Sequence, residues 1–531
     1  MSQRHRLIAL LCLCWIIPGL IGHDLWGSDE AYTFGVVYDL LQGGSWLHPQ
    51  LAGEAFLREP PLYYFVARLS ARLNENWLAL QDGARLATGL FMALTFIFCS
   101  LAARELNGKG KGALAPLLLI GSAGLLVRGH EILTDIAPLA GFALGYYCLA
   151  LGLRKRIWAG IGIGGSLGII FLSQGILETV MFVLLLLLLP LICWPFRNRQ
   201  YAQSMGIALL VGLPLIASWP ILLELHNPGA LQTWIRQDLH AVLTGQGHKL
   251  SYFINILPWY GWPIWVVSLW SLWRGRRQLR TNPALGLPLT GFLVTLLVLS
   301  IAGDARDLYA LPLLIPLTLL AIPGVSQLRR GGANAWYWFG VLGTGVFIIA
   351  GWFYWSALEL GYPAELHSHL QHLRPSYPAA FKMMPFLLAL GYTLAWLVLF
   401  RKLPFSPERP VIVWAAGVCV IWGLLNILFL SYIDTGKSYR AMIVSLKNHL
   451  PQHYDCVSSE HLSEAQRAML QYYAGLITYR TESPNRQRHC QILLTQGIKK
   501  YEPPHPGWHK IWEGSRPADK IERFRLYQKN L

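Results

Sequence analysis

The chain has 531 residues, 54% hydrophobic and only 14% charged, where soluble domains carry about 25% charged residues, so a water-soluble globule is excluded. Its 44 Lys and Arg outnumber 28 Asp and Glu, for a formal charge of +16. The basic residues fall in short clusters between apolar runs long enough to span a bilayer, which points to a polytopic membrane protein and not to a nucleic-acid partner.

Apolar runs predict about thirteen transmembrane helices. They lie at 7–22, 79–103, 112–127, 132–152, 157–172, 176–196, 203–223, 256–273, 285–302, 308–324, 335–356, 382–400 and 411–430. The first run lacks a small-x-small cleavage site and reads as an anchor with the N-terminus in the cytoplasm. Basic clusters within 104–111, 154–156, 197–199, 274–280, 329–330 and 401–409 then share one face, opposed there only by Glu105 and Glu408. Most remaining carboxylates of the membrane region gather on the other face. Adding or dropping one span would scramble this segregation, so the odd count, N-in and C-out, is the expected topology.

The first outer loop, 23–78, contains two candidate amphipathic helices, at 30–41 and 61–73. In the second, Arg68 and Arg72 lie opposite Tyr64, Phe65 and Leu69, and both helices are expected to lie in the membrane interface. After about residue 431 the hydropathy falls. Strand-like runs at 454–458, 490–495 and 521–527, with a helical run at 462–473, predict a small α/β extracytoplasmic domain at 431–531 beside a membrane domain at 1–430. Of eight cysteines, only Cys456 and Cys490 lie in this tail. A disulfide between them is open, and the other six read as packing residues.

Three polar stretches are candidates for chemistry. His23-Asp24-Leu25-Trp26-Gly27-Ser28-Asp29-Glu30 places two acids at a helix start, where capping and the helix dipole explain them as well as function does. Arg58-Glu59-Pro60-Pro61-Leu62-Tyr63-Tyr64 has the Pro pair of a helix N-terminus, which is also a phosphate site. Arg128-Gly129-His130-Glu131-Ile132-Leu133-Thr134-Asp135 carries Asp135 to the edge of the bilayer, where an ionisable side chain reads as functional. His226, His240 and His248 share an outer loop without metal-ligand spacing, so no metal is expected. Gly436-Lys437-Ser438 lacks the upstream glycine and strand of a nucleotide loop and reads as juxtamembrane charge.

Asp29-Glu30 after the first span, Pro-Pro-Leu-Tyr-Tyr in the same loop, Thr134-Asp135 opening the fourth span, and Tyr309 with Pro312 and Pro316 opening the tenth together resemble the GT-C glycosyltransferases. Within them the sequence is most similar to the branch of the lipid A aminoarabinose transferases and protein O-mannosyltransferases. The resemblance implies an inverting glycosyltransferase of the bacterial inner membrane, with its C-terminal domain in the periplasm. It would move a sugar from a polyprenyl-phosphate donor to a lipopolysaccharide, another surface glycan or a protein, with no further cofactor. It implies Asp29 as general base or acceptor-orienting group, supported by Glu30 and Asp135. Arg58, Glu59, Tyr63, Arg128, His130, Glu131, Arg306 and Tyr309 are expected to bind the lipid phosphate and sugar. Where the aminoarabinose transferases usually read Glu-Lys-Pro-Pro, this chain has Arg58-Glu59-Pro60-Pro61, and their Lys-Gly-Pro stands here as Gln174-Gly175-Ile176. A transporter of lipid-linked sugars is the alternative from another class. It would need ionisable residues at mid-bilayer on several helices, whereas here they collect at one surface.

Overall fold

The computed structural model describes residues 3–243, 249–302, 305–482, 490–502 and 505–529; His248 lies outside them. All thirteen predicted segments fall on helix. Among the described residues, eight helices are long and apolar enough to cross a membrane: Leu80–Asn107, Arg156–Gln174, Arg199–His226, Pro283–Ile301, Leu308–Gln327, Arg330–Leu360, Met383–Lys402 and Arg409–Leu428. Arg6–Ile16, Ile136–Gly152 and Ile176–Ile192 are apolar but shorter. The first run stops being helical at Ile16 because Pro18 and two glycines with positive φ, Gly19 and Gly22, follow.

Two segments expected to be single helices are broken. The run at 112–127 divides into Leu114–Ile120 and Ala123–Leu126, and the freed Gly121 carbonyl accepts from Trp414 Nε1 at 2.9 Å. The run at 256–273 divides between Lys249–Tyr260 and Ile264–Gly275, where Pro263 offers no N–H to continue the ladder. Neighbouring helices approach through small residues, as membrane helices do. A Cβ at Gly160 or Gly164 would stand 2.7 or 2.8 Å from the carbonyl oxygens of Ser204 and Ala208 on the adjoining helix. At the basic face both opposing acids are paired, Glu105 with Arg154 at 2.6 Å and Glu408 with Lys111 at 3.4 Å.

The first outer helix, Ser28–Leu41, does not lie in the interface as expected. Ala31, Phe34, Val36, Val37 and Leu40 are all buried, because the helix is held between the bundle and the C-terminal tail. Gly35 permits the approach: a Cβ there would be 2.7 Å from Ala468 and closer still to Leu51. The second, Leu62–Asn74, packs Tyr63, Tyr64, Ala67 and Ala71 on Leu80–Asn107 and exposes Phe65, Leu69 and Leu73. That apolar outer face is the one suited to a membrane surface.

The tail forms a five-stranded sheet in the spatial order Thr478–Arg480, Val457–Glu460, Ile492–Ile498, Glu522–Lys529, Trp508–Gly514. The first three strands run parallel and the last two pair antiparallel. Helix Glu464–Ala474 links the first two, opened by a capping box of Ser463 with Gln466 and closed by Gly475 in the left-handed region. Strands 478–480 and 508–514 are additions to the predicted set. Cys456 and Cys490 are bridged. Because the bridge closes a loop of 34 residues, the double Ser variant should lose about 3–4 kcal/mol of tail stability, by the chain-entropy relation. Limited proteolysis of the tail with and without reductant reads that loss.

Candidate active site

Helix Ser28–Leu41 begins with two acids that its 100° turn per residue sends in different directions. Glu30 goes inward and is 1% exposed. Its Oε1 accepts from Arg85 Nε at 2.7 Å and Ile132 N at 3.3 Å, and its Oε2 from Trp26 N at 3.1 Å. Burial alone would raise Glu30; the fields of Arg85 and His23 outweigh it and hold the carboxyl below its ordinary range. Arg85, fully buried, also binds Asp82 at 2.7 Å and the carbonyls of His23 and Asp24 at 3.1 Å each. Glu30, expected as a supporting catalytic acid, is therefore consumed in fixing the loop entrance.

Asp29 points the other way. Its Oδ1 accepts from Arg306 Nη2 at 2.9 Å, with about 15% of its side chain exposed. Arg306 stands beside Tyr32 and half-buried Tyr309, and the anion of Asp29 holds its proton still more firmly against burial. Tyr32 marks where the separate stretches meet. Burial raises its phenol, and the charges of Glu59, Asp29 and Asp135 raise it further while Arg58 opposes them. Asp29, Glu59 and Asp135 thus come from three distant segments to one locus. Asp135 occupies the N-cap position of Ile136–Gly152 without a side-chain capping bond, and it makes no side-chain ion pair among the described residues.

The cations differ in how firmly they are held. Arg128 donates to Glu131 at 2.9 Å and, through Nε and Nη2, to Asp307 at 3.1 and 3.4 Å. Arg58 is about half exposed and among the described residues its guanidinium has only long ionic contacts, 3.9 Å to Glu59 and 4.0 Å to Glu464 of the tail, and lies 5.2 Å from the Tyr32 ring centre. Glu59 accepts from Tyr64 Oη at 2.6 Å; burial raises its carboxyl, against the opposing field of Arg58. Glu131 is pushed up to about 7 by burial and the anions Glu30 and Asp29, with Arg128 opposing.

Two expected ligand groups are structural instead. Tyr63 is 0% exposed and bonds Thr88 Oγ1 at 2.7 Å. It sits one residue before Tyr64, the one that reaches Glu59, and so faces the core. His130 is buried with its ring nitrogens 2.7 Å from the carbonyls of Leu126 and Trp15, and its ring lies tilted between those of Trp15 and Trp422. Burial lowers its pKa to about 4.

Several participants escaped the sequence reading. Arg85 had a signal, a lone arginine inside an apolar span. Asp238, which accepts from Ile176 N at 3.1 Å and is raised to about 6 by burial, and Glu464 had none. The juxtamembrane stretch is also more than loose charge. Asp434 accepts from Trp26 Nε1 at 2.7 Å and Asp24 N at 2.9 Å, Ser438 donates to Asp24 at 2.7 Å, and Lys437 lies 5.3 Å over the Trp26 ring. No group of His, Cys, Asp and Glu able to hold a metal occurs among the described residues.

No protein-family profile matches the chain. It is 26% identical over 489 residues, 87% of this chain and 80% of its relative, to the undecaprenyl phosphate-alpha-4-amino-4-deoxy-L-arabinose arabinosyl transferase of Pseudomonas aeruginosa strain UCBPP-PA14. The corresponding enzyme of Edwardsiella ictaluri is 27% identical over 352 residues, 62% of this chain and 60% of that protein. Among solved structures, apo ArnT from Cupriavidus metallidurans superposes with a TM-score of 0.73 at 15% identity, over 98% of this chain and 97% of that one. The same protein bound to undecaprenyl phosphate gives 0.71. The chain is a multi-pass membrane protein of GT-C fold with a small C-terminal sheet domain, homologous over most of its length to the undecaprenyl-phosphate aminoarabinose transferases.

Proposed function

We propose that the protein is an inverting glycosyltransferase of the bacterial inner membrane that moves an amino sugar, 4-amino-4-deoxy-arabinose or a close analogue, from undecaprenyl phosphate to lipid A. The reading places the membrane domain at 1–430, the C-terminal domain at 431–531 in the periplasm, and the site at the outer surface. It rests on one observation above the others: Asp29, Asp135 and Glu59 share a locus with Arg58 and Arg306. Acids in excess of free cations suit a sugar carrying a protonated amine.

In this scheme the donor's anomeric C–O bond breaks, and its electron pair leaves with the undecaprenyl phosphate. An acceptor oxygen attacks from the opposite face. Asp29 takes the proton of a hydroxyl acceptor or orients one already ionised. Asp135 and Glu59 hold the sugar, and Arg58 stabilises the charge growing on the departing phosphate. Arg58 suits that role because its present partners are distant, whereas Arg128 and Arg306 are engaged. Arg58→Ala should weaken binding of undecaprenyl phosphate by about 10- to 100-fold, the value of one charge-assisted bond. Unchanged affinity would move the role to another cation.

Glu131 supplies a pH dependence. Its carboxyl is raised, so acid neutralises it while the phosphate is still anionic, and Arg128, then paired with Asp307 alone, becomes a second cation for the phosphate beside Arg58. Donor affinity should therefore rise as pH falls from about 8 to about 6, and Glu131→Gln should flatten the curve at its low-pH level. The direct test of function is transfer by purified enzyme from an undecaprenyl-phosphate amino sugar, with mass spectrometry of the lipid A product. Labelling of protein but not lipid would redirect the acceptor assignment.

A further inference from the structure

Far from the acids, on the face assigned to the cytoplasm, a cavity of about 830 Å³ opens between helix Arg6–Ile16, helix Leu80–Asn107 and the turn after it. Cys12, Ile16, Phe96 and Ile97 give it apolar walls, while Arg104 and Lys109 stand at one end. Their neighbours in sequence are spoken for, Glu105 by Arg154 and Lys111 by Glu408. Arg104 and Lys109 make no side-chain hydrogen bond or ion pair among the described residues.

From Ala93 to Arg104 the wall runs eleven helical steps, about 16 Å at 1.5 Å per step, close to the depth of one leaflet of a 30 Å hydrocarbon core. A trough one leaflet deep, apolar along its length and closed at its polar end by two uncompensated cations, is complementary to a molecule with acyl chains and an anionic headgroup. We infer that this groove is a binding site for one anionic diacyl phospholipid of the cytoplasmic leaflet, its phosphate on Arg104 and Lys109 and its chains against helices Arg6–Ile16 and Leu80–Asn107. The site depends on the membrane orientation but not on the transferase reading. Helix Leu80–Asn107 carries at its other end Arg85, which donates to the His23 carbonyl at 3.1 Å.

The test is native mass spectrometry of the full-length protein released from detergent with phosphatidylglycerol, phosphatidylcholine or glycerol phosphate. Wild type should retain one phosphatidylglycerol, about thirtyfold more tightly than phosphatidylcholine, as expected for two basic contacts. Arg104→Gln with Lys109→Gln should erase the preference, and Ala93→Trp, which fills the trough without touching a charge, should expel both lipids. Equal retention of the two lipids, unaltered preference in the double variant, or displacement of the lipid by glycerol phosphate alone would each overturn the proposal. If the Trp variant does not fold, the double variant decides by itself.

Discussion

Asp29→Asn should cut transfer by about 10²- to 10⁴-fold, the usual contribution of a positioned base, with the protein still folded. The amide oxygen can go on accepting from Arg306, whose bond to Asp29 is 2.9 Å, so the substitution removes charge and basicity while keeping the contact. Turnover by purified enzyme, with donor affinity measured alongside, separates the two roles. A fall in kcat at unchanged donor binding is the expected result, and near-normal turnover would exclude Asp29 as base or orienting group. Glu30→Gln makes the internal comparison. It should act chiefly through stability, since Glu30 is buried against Arg85 and turned away from the locus.

Arg85→Leu should be the most destabilising single change in the membrane region, by about 3–5 kcal/mol, the cost of leaving buried charge unpaired. Two carboxylates, Glu30 and Asp82, each lose a 2.7 Å bond, and two carbonyls lose their donor. The midpoint of thermal unfolding in detergent measures it. Adding Glu30→Gln and Asp82→Asn to Arg85→Leu should recover most of the loss, because the orphaned charges are then gone. Failure of that rescue would mean that the carbonyl contacts, and not the charges, dominate.

The bundle was legible because spans announce themselves by apolar length, a local signal summed over many residues. The breaks at Gly121 and Pro263 were less legible, since membrane helices tolerate both residues when a neighbour accepts the freed backbone group, and the indole of Trp414 lies some 293 positions away. The same limit explains the site. Asp29, Glu59, Asp135 and Arg306 stand out as polar residues at helix mouths, but nothing local says that Glu30 turns inward while its neighbour turns out. Tyr63 and Tyr64 pose the same problem: one faces Thr88, the other Glu59. Helix Ser28–Leu41 was misplaced for a related reason. Its apolar side looked like a membrane-facing surface because its true partner, helix Glu464–Ala474, lies over 400 residues on.

That partner has a consequence for how the molecule is made. Arg467 binds the Ala52 carbonyl at 3.2 Å and Glu54 at 3.0 Å, Gln471 takes Ala52 N at 3.1 Å, and Asp434 reaches back to Asp24. A ribosome delivers the first outer loop long before any of these residues exist, so the loop must wait, unsupported, while every later helix is threaded into the bilayer. The reaction chamber is then among the last parts to be assembled, and a nascent chain has its anchor in place well before it can act on a substrate.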